Sequence, residues 1–111
     1  MARASLTSSR DFRRVYRSGR RARDNGITVW AVRRDDHGDA RLGMAIRASA
    51  GTAVERNRVR RRVRAIFRGY APESGRDVVV QATGDTTGKT FQELEELLGL
   101  ALGRAGVRSL R

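Results

Sequence analysis

The sequence predicts an α+β fold, a small two-layer sandwich whose elements follow the order helix, three strands, helix, strand, helix. Apolar residues recur at helical spacing in three stretches, and runs rich in β-forming residues lie between those stretches. At 111 residues the chain is long enough for one modest core. We therefore expect a single domain over residues 1–111, with its ordered core at about 6–103.

The first and last predicted helices both begin at capping residues. Residues 7–9 offer candidate N-caps for the first helix, which carries Phe12 and Tyr16 on one edge. By spacing alone, those two aromatic side chains are expected to pack in the core. Thr90 and Glu93 form a capping box at the start of the last helix, whose leucines then recur at helical spacing.

The strand pattern is clearest at two places. Residues 27–32 alternate β-forming side chains between two faces, and residues 76–83 contain a continuous apolar run that predicts burial on both faces. Residues 41–47 form a further candidate strand, and the acidic turn at 35–39 predicts a hairpin joining it to 27–32. Residues 20–26 are interpreted as a charged connector, so the pattern locates only two of the three strands expected before the middle helix.

The middle helix combines a basic run with a regular apolar pattern. Val59, Val63, Ile66 and Phe67 fall at i, i+4, i+7 and i+8, which gathers them into one stripe. Arginines cover the rest of the circumference between residues 55 and 68. A disordered basic tail lacks such a stripe, so we predict a folded helix that buries one edge and presents its arginines to a polyanion.

The charge distribution indicates a nucleic-acid partner. The formal net charge is +12, and residues 1–70 carry 19 Arg against 6 acidic side chains. Of the 24 basic residues, 23 are Arg, a residue type suited to bidentate phosphate binding. The codon usage of a GC-rich genome explains the Arg-to-Lys ratio equally well. Like charges packed along one helix would repel each other strongly without a partner, which favours binding over a solvated face.

No catalytic or metal-binding residue is predicted in this chain. The sequence has no Cys, and its one histidine, His37, lies in a turn where we expect it to be solvated. The aspartates beside it lack the spacing of a calcium loop. No apolar stretch approaches the ~20 residues that cross a bilayer, so we expect a cytoplasmic protein with neither a membrane nor a small-molecule partner. Any reaction would take its catalytic groups from another component.

Trp30 has two possible roles at this stage. It lies on the strand face opposite Ile27 and Val29. If that face is open, Trp30 offers a stacking platform for unpaired bases; if a helix covers it, Trp30 belongs to the core.

Three segments resemble the protein component of bacterial ribonuclease P. Residues 53–64, Ala-Val-Glu-Arg-Asn-Arg-Val-Arg-Arg-Arg-Val-Arg, resemble the signature of that family and follow a strand at 41–46. Residues 11–19 resemble its N-terminal helix, and residues 76–80 resemble its last strand. Agreement in order and spacing covers roughly residues 6–102, and the Arg-Asn-Arg core is the most specific part.

The resemblance implies a subunit of the ribonucleoprotein that removes the 5′ leader from precursor tRNA. It implies that the RNA subunit is the catalyst and holds the essential Mg²⁺, and that the fold contains a left-handed βαβ crossover. It also implies that the single-stranded leader lies in a cleft lined by Phe12, Tyr16, Trp30 and Arg47, the reverse of the core role that spacing alone gives the first two. The residues expected to face the RNA subunit are Arg56, Asn57, Arg58, Arg60, Arg61, Arg62, Arg64 and Arg68.

Four positions depart from the family pattern. Ala48-Ser49 stand where a Lys pair is common, Thr52 replaces an Asn, and Thr83 replaces an Arg at the end of the last strand. We expect altered leader or RNA contacts with the same function, and Arg47 supplies part of the missing charge.

Two rival functions are distinguishable by experiment. A structural RNA-binding protein of the ribosomal type predicts tRNA processing that is independent of this chain. A DNA-binding regulator would use residues 55–68 as a recognition helix, but no helix-turn-helix partner precedes them.

Overall fold

The computed structural model describes residues 5–111, apart from the side chain of Asp85. Three α-helices and a four-stranded sheet make up this part of the chain. In chain order the elements are α1 (Ser9–Ser18), β1 (Arg20–Asp24), β2 (Ile27–Arg33), β3 (Arg41–Ile46), α2 (Ala53–Tyr70), β4 (Arg76–Ala82) and α3 (Phe91–Arg104). The predicted α+β class and the order of elements are confirmed.

The segment interpreted as a charged connector instead forms β1. It pairs antiparallel with β2, and Asp24 and Ile27 face each other across a two-residue turn. Asn25 and Gly26 form that turn with φ of +42° and +87°, the left-handed values that this tight hairpin turn requires. The Asn-Gly pair signals a hairpin in the sequence. The strand before it was missed because Ala22 is its one buried residue and exposed arginines lie on both sides of it, which resembles a charged loop.

The predicted hairpin between β2 and β3 is wrong, because β4 lies between them. The strand order is β1-β2-β4-β3, with β4 antiparallel to β2 and parallel to β3. The apolar run of β4 explains this position, since a strand that is buried on both faces is most stable in the interior of a sheet. The loop after β2 crosses the start of β4, where Arg34 N donates to Gly75 O and Gly75 N donates to Gly38 O, both at 2.7 Å.

Helix α2 forms the connection between the parallel strands β3 and β4. Such a βαβ crossover is what the resemblance implies, and its left-handed sense is an expectation from that resemblance. The connection carries the basic stretch of the sequence, so the topology lays the arginines along one layer of the sandwich.

The main core lies between the sheet and helices α2 and α3. Ile27 and Val29 of β2 and Val78 and Val80 of β4 point into it and are fully buried. The α2 stripe predicted from the sequence packs against them, which confirms that α2 buries one edge. Among the described residues, no helix has the length and apolarity needed to cross a membrane.

Helix α1 covers part of the opposite face of the sheet. A smaller cluster of Leu6, Val15 and Val79 lies beneath it, with Phe12 and Trp30 packed at its margin. Ser8 caps the helix by accepting a hydrogen bond from Asp11 N at 3.2 Å, as predicted for residues 7–9. Because α1 spans only ten residues, it leaves the remainder of this face open to solvent.

Candidate RNA-binding surfaces

The N-terminus of α2 is fixed by a capping box. Thr52 N donates to Glu55 Oε1 at 2.8 Å, and Glu55 N donates to Thr52 Oγ1 at 3.2 Å. The hydrogen bond from Thr52 N to the Glu55 carboxylate, followed by a contribution from the Thr52 hydroxyl, holds the pKa of Glu55 below its ordinary value. Thr52 replaces the Asn of the family pattern, and it still caps the helix because a hydroxyl serves the same purpose.

The eight predicted RNA-facing residues divide into two groups. Those fully on the surface are Asn57, Arg58, Arg61, Arg64 and Arg68, and those that are half-buried are Arg56, Arg60 and Arg62. We call the five surface residues the outer row of α2. At 100° per residue these positions span the side of α2 away from its apolar stripe. The outer row therefore presents guanidinium groups to solvent from a helix that is anchored in the core.

Two of the half-buried arginines make contacts within the protein. Arg62 Nη1 donates to Lys89 O at 2.9 Å, which ties α2 to the loop before α3. Arg60 Nη1 donates to Asn57 Oδ1 at 3.1 Å and so orients the first turns of the basic surface. Arg62 thus has a structural contact that spacing could not reveal.

On the opposite side of the sheet, Phe12, Tyr16 and Trp30 form one aromatic cluster. The ring centroids of Tyr16 and Trp30 are 4.8 Å apart at 86°, and those of Phe12 and Tyr16 are 6.2 Å apart at 69°. Phe12 lies against Gly43, where an added Cβ would be 2.5 Å from its ring. Tyr16 is 39% exposed, and burial of the rest of its side chain raises the pKa of its hydroxyl, although nearby Arg47 opposes that effect.

Beside Trp30 lies an open groove of about 490 Å³, which we call the arginine groove. Its residues come from β1, β2, β4 and the loop after β3, and they are Arg21, Arg23, Gly26, Thr28, Trp30, Arg47, Ser49, Gln81 and Thr83. With the Gln81 amide oriented so that its oxygen faces Arg47, Gln81 Oε1 accepts hydrogen bonds from Arg47 Nε at 2.7 Å and Nη2 at 3.0 Å. The groove therefore combines three guanidinium groups, of which Gln81 holds that of Arg47, with an aromatic edge. Cationic groups and an aromatic ring are the two features that bind single-stranded nucleic acid.

The sequence interpretation missed Arg21 and Arg23 as groove residues. They pair across the strands with Trp30 and Thr28, which places them on the same face as the tryptophan. Ser49 and Thr83, two of the positions without the expected charge, also line this groove. Two arginines of β1 thus share the groove with the uncharged positions, an arrangement that becomes apparent only when residues 20–24 are recognised as a strand.

A buried carboxylate connects α1 to the sheet beneath the aromatic cluster. The side chain of Asp77 is fully buried and accepts from Arg41 Nε at 2.8 Å, Arg41 Nη2 at 2.7 Å and Arg34 Nη1 at 2.7 Å. Arg14 of α1 forms a further ion pair with Asp77. The three arginines and Asp77, here called the Asp77 clamp, hold the helix that carries Phe12 and Tyr16.

Comparison with known proteins identifies the relatives of this chain. A family model described as Ribonuclease P matches residues 1–106. The ribonuclease P protein component of Gluconacetobacter diazotrophicus is 37% identical over 106 residues, covering 93% of this chain and 91% of that protein. That of Clavibacter michiganensis is 31% identical over 102 residues, covering 90% of each.

Solved structures agree with the sequence comparison. The RNase P protein of Thermotoga maritima matches with a TM-score of 0.76 at 28% identity, covering 92% of this chain and 96% of that one. The RNase P protein of Staphylococcus aureus matches in fold with a TM-score of 0.85 at 23% identity, covering 96% and 98%. Proteins of this kind are components of the endoribonuclease that processes tRNA. With its fold, its basic helix and its matched length in agreement, the chain belongs to the Ribonuclease P family of protein components.

Proposed function

We propose that this chain binds the catalytic RNA subunit of ribonuclease P through α2 and the 5′ leader of precursor tRNA through the arginine groove. The observation that carries the proposal is the separation of the two basic surfaces by the sheet. The outer row of α2 lies on one layer, and the groove with Trp30 lies on the opposite face. One protein can therefore contact two RNA segments at the same time.

Each surface suits a different form of RNA. The outer row of α2 presents four exposed guanidinium groups from a helix that is anchored in the core, which suits the phosphates of a folded RNA. The arginine groove pairs Arg21, Arg23 and Arg47 with the partly open face of Trp30, which suits unstacked bases joined by phosphates. A single-stranded leader supplies both the unstacked bases and the phosphates.

We propose that the essential Mg²⁺ is held by the RNA subunit and the substrate and that the scissile chemistry takes place there. Among the described residues, no three His, Cys, Asp or Glu side chains lie close enough together to hold a metal ion. The contribution of the protein is electrostatic. Its guanidinium groups reduce phosphate repulsion between leader and RNA subunit, which lowers the Mg²⁺ concentration required.

Reconstitution tests this function. Leader removal from precursor tRNA is measured with a bacterial ribonuclease P RNA subunit at low Mg²⁺, with and without the protein. We expect cleavage to depend on the protein at low Mg²⁺ and to become less dependent as Mg²⁺ rises. Cleavage that is unaffected by the protein would favour a structural RNA-binding role, and cleavage by the protein alone would place the chemistry in this chain.

Trp30→Ala separates leader contacts from a core role. We expect the variant holoenzyme to lose affinity for precursor tRNA by about 10-fold, since one base–aromatic stack contributes roughly 1–3 kcal/mol. Affinity for mature tRNA, which lacks the leader, is expected to stay unchanged. The matched control is Tyr70→Ala, which removes a half-buried aromatic ring outside the groove. Equal losses for both RNAs would contradict the leader contact.

A further inference from the structure

A second open cavity lies beside the edge strand β3 and shares no lining residue with the arginine groove. Its volume is about 530 Å³, and it lies between α2 and the edge strand β3. Leu42, Met44 and Phe67 form an apolar floor. Arg60, Arg64 and Arg68 form one wall. We call this cavity the α2–β3 groove.

The wall follows from the helical repeat of α2. Arg60, Arg64 and Arg68 are four residues apart, so they line one flank of the helix, next to Phe67 of the apolar stripe. Arg62 lies on the other flank, where it contacts Lys89. Arg62 and the arginine wall therefore lie on opposite flanks of α2, and the wall lies next to the apolar floor.

The floor is open at one residue. Leu42 and Phe67 are only 8% and 7% exposed, whereas Met44 is half-buried. On the outer side of β3, Leu6 N donates to Leu42 O at 3.0 Å and Ser5 forms an isolated bridge with the same residue, so the strand is covered there and not beside Met44. The result is a partly open apolar patch beside a row of cations.

The charges of this groove favour an anionic occupant. Among the side chains that the structure describes, no carboxylate forms an ion pair with Arg60, Arg64 or Arg68, and Asp39 is the acidic residue in the lining of the cavity. Three guanidinium groups that share one wall repel each other until an anion binds. A phosphate backbone alone would neutralise the wall but would leave the floor open to water. An occupant that matches both surfaces carries a phosphate and a flat, weakly polar ring.

We propose that the α2–β3 groove takes an unstacked nucleotide of the RNA subunit, with its base on Leu42 and Met44 and its phosphates on the arginine wall. The proposal rests on the proposed function, because Arg64 and Arg68 also belong to the outer row of α2 that is assigned to that RNA. The new element is that the groove recognises a local RNA structure, an unpaired nucleotide. A base-paired segment keeps its bases inside the duplex, so only a bulged or looped nucleotide can enter.

Crosslinking tests this assignment directly. The native chain has no cysteine, so Met44→Cys provides a unique attachment point for a short photoactivated crosslinker on the floor of the groove. In the holoenzyme, we expect crosslinks to one unpaired position of the RNA subunit. Leu100→Cys is the matched control, an exposed apolar residue on α3, and it should give no crosslink.

A binding measurement distinguishes the base contact from the phosphate contacts. Met44→Ala should weaken RNA-subunit binding about 10-fold with an unchanged salt dependence, because it removes no charge. Arg64→Ala should also reduce the log–log salt slope by about 0.7–0.9. Circular dichroism of each variant confirms that the fold is retained.

The outcomes separate this inference from the proposed function. If the native protein supports leader removal but the crosslinker at position 44 labels no RNA, or labels only base-paired positions, the groove assignment is overturned while the function stands. Crosslinks to a second protein copy would also overturn it. If the native protein fails to bind the RNA subunit at all, the proposed function itself fails.

Discussion

The substitution Asp77→Asn tests whether the Asp77 clamp holds α1 on the sheet. Asn has nearly the same shape as Asp but carries no charge, so the variant leaves three guanidinium groups without their common anion. Arg14 comes from α1, Arg34 follows β2 and Arg41 begins β3, so a single carboxylate joins three parts of the fold. We expect the loss of this charge to destabilise the domain and to loosen α1.

The expected loss in the free energy of unfolding depends on how exposed the arginine partners of Asp77 are. Removing one member of a buried ion pair typically costs about 3–5 kcal/mol. Here the Arg14 and Arg41 side chains are 39% and 32% exposed, so water can solvate them after the change. Arg34 keeps a second carboxylate in Asp36 at 2.8 Å. We therefore expect about 3 kcal/mol, a large part of the roughly 5–15 kcal/mol that stabilises a domain.

Urea and thermal unfolding followed by circular dichroism measure this loss. A change of about 3 kcal/mol lowers the midpoint of thermal unfolding by about 12 °C in a domain of this size. The control is Asp36→Asn, which removes an exposed carboxylate from the same Arg34 and should shift the midpoint far less. Equal shifts in the two variants would refute the reasoning, since burial of Asp77 would then make no difference.

The pKa of Asp77 makes the contribution of the clamp to stability depend on pH. Burial acts to raise this pKa, but hydrogen bonds from Arg41 and Arg34 outweigh it and hold the pKa below the ordinary value of 3.8. The folded protein therefore binds this proton more weakly than the unfolded chain does. The contribution of Asp77 to stability is complete above about pH 5 and is lost as the pH falls through the folded pKa. The difference between native protein and Asp77→Asn should shrink only in acid.

Three further predictions concern the two surfaces and the first hairpin. Replacing both Arg58 and Arg61 with Ala should reduce the log–log salt slope of RNA-subunit binding by about 1.4–1.8, which salt titrations measure, whereas Arg108→Ala should leave it unchanged. Arg23→Ala should weaken binding of precursor tRNA more than that of mature tRNA in filter binding, and equal losses would remove β1 from the leader contact. Gly26→Ala should destabilise the domain by roughly 1 kcal/mol in urea unfolding, because φ at this turn is +87°; an unchanged midpoint would show that the turn tolerates a side chain.

Local pattern was sufficient for the helices and for the central strand. The stripe that begins at Val59 and ends at Phe67 is buried as its spacing predicted, and Thr90 caps α3 with Glu93. Such features depend on residues within one or two turns of each other, where periodicity and capping chemistry act directly. The interior position of β4 could also have been inferred, since Val79 and its neighbours are apolar on both faces.

Pattern and charge along the chain were enough to predict a folded basic helix, an α+β architecture and a surface for polyanions. Tertiary contacts were needed to learn that β4 separates β2 from β3, that Arg62 turns toward Lys89, and that Arg21 joins Trp30 in a groove. Each of these features joins segments that are distant in the chain or on different strands. The stability of such long-range contacts depends on which surfaces meet in the folded protein. A periodic pattern within one segment does not predict which other segment it will contact.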